Sequence, residues 1–96
     1  MELNKSEQVM QATFRHCNKM VTDCIKELVH LNGQCPESFS VSGKAWDEAE
    51  DAIGQAAHDN RYNDTTNLCT AYTERVAKYC QSWVDKYRAA TLAKPK

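Results

Sequence analysis

With 96 residues, 42% of them apolar and 26% charged, the chain has the makings of one globular domain with a single core. Three glycines and two prolines are too few for the tight turns of an all-β fold, and no apolar run approaches the ~20 residues that span a bilayer. A formal net charge of −1 leaves no uniformly basic surface, but the charge is divided: residues 35–60 carry six acidic side chains against Lys44 alone, and residues 61–96 carry seven basic against three acidic.

The first element is the clearest. Met10, Phe14, Cys17, Val21, Cys24, Leu28 and Leu31 recur at spacings of 4, 3, 4, 3, 4 and 3, the seam of a helix that repeats every ~3.5 residues. Val9, Met20, Ile25 and Val29 widen the stripe into a core-facing band. Asn4 followed by Glu7 supplies a start, and Asn32-Gly33 a stop, because glycine takes the left-handed backbone that a helix end uses. The spacing predicts helix over about 5–32.

Residues 33–42 read as a connection, with Pro36 disfavouring helical geometry at Cys35. Phe39 and Val41 alternate with serines and are placed to tuck into the bundle as a lid. Ser42 is the expected cap of a second helix over about 43–58, with Trp46, Ala49, Ile53 and Ala56 on one face. Asp47, Glu48, Glu50 and Asp51 occupy the other face and the first turns, where the helix end is positive. The alanines suit close approach to neighbouring helices.

Residues 59–64 read as a turn, with Asn63 or Asp64 capping a third helix over about 65–91. Its expected seam is Cys69, Tyr72, Val76, Tyr79, Trp83, Lys86 and Ala90, flanked by Leu68, Cys80 and Tyr87, and residues 93–96 form a tail. The chain is therefore expected to be all-α, a small three-helix bundle forming a single domain over residues 1–96. A middle helix of about 16 residues spans only ~24 Å and cannot cover two helices of about 40 Å along their whole length. The Phe39–Val41 segment, a break in one long helix, or a second copy in a homodimer must cover the rest.

Five cysteines, Cys17, Cys24, Cys35, Cys69 and Cys80, admit two readings: small buried side chains, or interhelical disulfides. No bond can form within one helix, since Cys17 and Cys24 are about 10 Å apart along the axis and Cys69 and Cys80 about 16 Å. If the first and third helices run parallel, Cys17 approaches Cys69 and Cys24 approaches Cys80, but the two spacings differ by about one turn, so one bond is easy and two need a tilt. Cys35 could instead fold back on Cys24. The pairs Cys24/Cys35 and Cys69/Cys80 each enclose ten residues, as in twin-cysteine helical hairpins, but Gly33 and Pro36 interrupt the first pair, and no family is assigned.

Chemistry is sparse. His16, Cys17, His30, Cys35 and His58 are metal-ligand types without local ligand spacing, so neither a metal nor a cofactor is expected. No phosphate loop, metalloprotease helix or serine elbow is present, and Cys17 lies on an apolar seam rather than beside an activating base. The expectation is a non-enzymatic protein-binding module of inhibitor, immunity or adaptor type, facing another protein through Asp47, Glu48, Glu50, Asp51 and Asp59. The alternative is a nucleic-acid-binding regulator using Arg75, Lys78, Lys86 and Arg88 among the aromatics of the third helix, against which the overall charge speaks. A disulfide-stabilised or thiol- or metal-dependent helical protein is the third reading. No membrane partner is expected. A native Met1 implies the cytoplasm, and a removed signal peptide would imply the periplasm or secretion.

Overall fold

In the computed structural model, which describes residues 2–41 and 43–93, the first element is α1 (Lys5–Asn32). Asn4 caps it as its sequence implies. The side-chain oxygen of Asn4 accepts from the Glu7 amide at 2.8 Å, and its side-chain nitrogen donates to the Glu7 carboxylate at 3.0 Å. At the other end Gly33 turns to φ 84° and its N–H reaches the Val29 carbonyl at 2.7 Å, which satisfies an otherwise open helix acceptor.

The second element, α2 (Lys44–His58), follows Gly43, which precedes it in extended geometry without a side-chain cap; Ser42, the expected cap, lies outside the described residues. Its C-terminus is closed by Asn60 at φ 59°, with Asn60 N–H donating to Ala57 and Arg61 N–H to Ala56. That six-to-one plus five-to-two arrangement consumes only three residues, and asparagine is the side chain that best tolerates the left-handed backbone after glycine.

The tight closure corrects the expected start of the third helix. α3 runs Tyr62–Ala93, so Asn63 and Asp64 lie inside its first turn and cap nothing. The Arg61 carbonyl accepts from the Thr65 amide at 2.9 Å and from the Thr65 hydroxyl at 3.0 Å instead. Residues 94–96 of the expected tail lie outside the described residues.

The three helices form an all-α bundle drawn out to 57 × 23 × 19 Å. α1 and α3 run parallel with a fixed offset: Cys17 meets Thr73 and Cys24 meets Cys80, each pair 56 residues apart, so one heptad on α1 matches one heptad on α3. α2 returns antiparallel between them. Cys17, Cys24, Leu28, Ile53, Cys69, Tyr72, Val76, Cys80 and Val84 form the core. The expected seam of α3 holds as far as Trp83 and then shifts: Val84 is buried, whereas Lys86 and Ala90 are exposed. The same register sets Val84 opposite the fully buried Leu28 and brings the end of α1 level with Arg88, so only the residues of α3 beyond Arg88 have no part of α1 to face.

The shortness of α2 is made good by the connector. Phe39 packs on Tyr79 and Trp83, with ring centroids 5.6 Å away in both cases, and the Ser40 amide donates to the Tyr79 hydroxyl at 3.0 Å. Trp46 at the start of α2 continues the stack edge-on to Tyr79 and Tyr72, and Tyr72 meets Phe14 of α1. The lid expected from Phe39 is thus present.

Candidate interaction surface

α2 divides its residues by helical period. Ile53, Ala56 and Ala57 are buried and Trp46 and Ala49 half-buried, while Asp47, Glu48, Glu50 and Asp51 all face solvent. Asp47 lies in the first turn, where its charge meets the positive end of the helix.

The acidic side chains are not neutralised by α3. Among the described residues the ion pairs join Arg61 to Asp59 and to Asp64, both at 3.4 Å, and Arg88 to Glu27 at 3.0 Å. None reaches Asp47, Glu48, Glu50 or Asp51. Glu50 accepts a hydrogen bond from the Tyr72 hydroxyl at 2.9 Å, and burial, reinforced by that carboxylate, pushes the Tyr72 phenol well above its usual ionisation range. Asp59 is engaged by Arg61 and by the Gln55 amide at 3.1 Å. Of the five expected partner-facing residues, Asp47, Glu48 and Asp51 therefore present uncommitted carboxylates, and Glu50 and Asp59 are already partly occupied.

On the Glu48 side of α2 runs a groove of about 400 Å³ between α2 and α3, lined by Ala45, Ala49, Ala52, Leu68, Ala71 and Tyr72 together with Glu48 and Arg75. The sequence pattern suggested that the alanines let α2 approach its neighbours. Ala56 and Ala57 do so, but Ala45 and Ala52 line an open apolar trough. Exposed alanine is ordinary on a helix surface, and only the juxtaposition with α3 makes this row part of a concavity.

The cations considered for nucleic acid do not share one face. Arg75 edges the α2–α3 groove, Arg88 lies on the α1–α3 side and is held by Glu27, Lys86 sits 5.2 Å above the Trp83 ring, and Lys78 is exposed. The interleaved aromatics are committed to packing: Tyr72 is buried, and Tyr79, Trp83 and Tyr87 are half-buried in a continuous stack.

All five cysteines are free thiols. Burial pushes Cys17, Cys24 and Cys80 upward, Cys24 to about 12, so none of these three is poised as a thiolate near neutral pH. Cys17 faces the Thr73 hydroxyl at 3.8 Å rather than Cys69, because the 56-residue register places Cys69 one turn earlier on α3. Among the described residues no three His, Cys, Asp or Glu side chains converge on a metal-sized site, and His16, His30 and His58 are separately exposed. No helix of the described residues is long and apolar enough to cross a membrane. No protein family, curated protein or solved structure matches the chain.

Proposed function

We propose that this chain is a non-enzymatic protein-binding module, of inhibitor, immunity or adaptor type, which docks a basic partner segment on the outer surface of α2. The observation that carries the reading is the set of exposed, unpaired carboxylates Asp47, Glu48 and Asp51 on the outer face of α2, with Glu48 lining the alanine-rich groove. Such a surface suits an amphipathic helix whose small apolar side chains fill the trough while its lysines and arginines meet the carboxylates. The charges steer the encounter and the groove sets the register.

The test is capture from an extract of the native host on immobilised protein, comparing wild type with a Glu48→Lys/Asp51→Lys variant. Both substitutions lie on the exposed face, so the circular dichroism spectrum and unfolding midpoint should hold. The expected result is one basic protein retained by the wild type, released by salt and lost in the variant. Equal capture by both overturns the assignment. Retention of DNA or RNA at low salt in its place favours the nucleic-acid regulator, since electrostatic binding is strongest there. A second copy of the chain in the groove shows itself as a dimer in sedimentation.

A further inference from the structure

The α1–α3 interface carries a second feature that the binding surface does not use. Cys24 and Cys80 sit at matching positions of two parallel helices, only 5% and 8% exposed. The Cys24 thiol donates to the backbone carbonyl of Cys80 at 3.5 Å, which puts its sulfur directly against the other cysteine. On the outer side of this pair the interface opens into a groove of about 420 Å³, with Met20, Ala77 and Val84 beside the two sulfurs and Glu27 and Arg88 at its rim. A small thiol reagent therefore has an approach to the pair from one side.

We propose that Cys24 and Cys80 are a disulfide site, bridging α1 to α3 by exchange with a small-molecule disulfide such as oxidised glutathione. One protein thiolate attacks the glutathione disulfide, forming a mixed disulfide and expelling one glutathione thiolate. The second protein thiolate attacks the mixed disulfide at the protein sulfur and expels the other. The two protein sulfurs lose two electrons in total, the two glutathione sulfurs gain them, and the two thiol protons end on the two reduced glutathione molecules. Buried thiols exchange slowly in the intact fold, so the bond forms as the helices dock or when they part.

Register selects this pair over its rivals. Cys17 is opposite Thr73, and Cys69 lies a turn away from it. Cys35 is half-buried on the connector, with its sulfur turned to the Pro36 carbonyl at 3.8 Å. Cys24 and Cys80 are the pair that two in-register helices bring into direct contact, thiol to backbone carbonyl; in the reduced chain their sulfurs are not at bonding distance, so forming the bridge turns the two side chains toward each other.

The experiment refolds the reduced full chain in a glutathione redox buffer, quenches with alkylating reagent and maps the cross-links by mass spectrometry, with a parallel sample held in denaturant. The expected result is a species lighter by two hydrogens with three alkylated cysteines and a Cys24–Cys80 peptide. Its ratio to the reduced form should exceed the denatured ratio by about tenfold or more, because folding raises the effective concentration of the two thiols. A Cys17→Ala/Cys35→Ala/Cys69→Ala variant should still form the bridge, and Cys80→Ala should abolish it. Five alkylated cysteines at equilibrium, a dominant Cys24–Cys35 or Cys17–Cys69 link, or the same ratio in denaturant would overturn the proposal.

Discussion

The two flanks of α3 solve the same packing problem with opposite materials. Toward α1 the helix presents Cys69, Thr73, Cys80 and Val84, small side chains that let two long parallel helices lie close in a fixed heptad register. Toward α2 and the connector it presents Tyr72, Tyr79 and Trp83, large rings that reach out to Trp46 and Phe39. A regular partner helix fits a surface of small, evenly repeated residues. An irregular segment cannot keep such a register, so it is held by a few large side chains, each burying much area at little conformational cost. The groove proposed for binding lies on the aromatic flank and the thiol pair on the other, so the two proposals can fail independently.

The comparison can be pressed hardest at Trp46, the ring shared by Tyr72 and Tyr79. Trp46→Ala should destabilise the fold by about 3 kcal/mol, the lower end for an aromatic truncation because the ring is half-buried. Urea unfolding checks this, and a loss under about 1 kcal/mol would show that the connector and Phe39 hold that flank without it.

Alkali tests the thiol flank. Cys24 ionises at an ordinary 9.0 when unfolded and near 12 when folded, and Cys17 and Cys80 are raised in the same direction by burial. The unfolded chain therefore releases these protons first, so their stabilising contribution is whole below about pH 8 and declines as pH climbs toward the folded values. Tyr72, raised on the other flank, adds its share above the usual tyrosine range. The expected loss is on the order of 1 kcal/mol per pH unit for each such group, read from urea midpoints across the alkaline range, and Cys24→Ala should flatten the slope. An unchanged slope in that variant would place the alkaline sensitivity on Cys17, Cys80 or Tyr72 instead of Cys24.

The smallest effect is expected at the rim of the thiol groove. Arg88→Ala removes the exposed pair with Glu27 and should cost no more than about 0.5 kcal/mol, while opening access to Cys80. Faster alkylation of that thiol, against an unchanged unfolding midpoint, is the signature; an unchanged rate would show that Arg88 does not control access to the pair.

Much of the architecture was legible in local chemistry. The run from Met10 to Leu31, the cap at Asn4 and the left-handed Gly33 define α1 because periodicity and capping act within a few residues, with no help from the rest of the chain. The acidic outer face of α2 was legible for the same reason, since charges four residues apart must share a side of any helix. The early start of α3 was not: closing α2 through Asn60 depends on Ala56 and Ala57 being held in place by the core, and a cap of equal local merit at Asn63 went unused. The seam beyond Trp83 also escaped, because whether Val84 or Lys86 turns inward depends on how α3 is set against α1, where the register places Val84 opposite Leu28.

What the sequence determined by itself, then, is the set of helices, most of their inward faces, and the segregation of charge, all consequences of interactions within a turn or two. Tertiary structure alone decided the 56-residue register that sets Cys24 against Cys80 and Cys17 against Thr73, and the gap between α2 and α3 that turns a row of alanines into a groove. Register and gap are sums of many weak side-chain contacts across helices, and no local segment contains that sum.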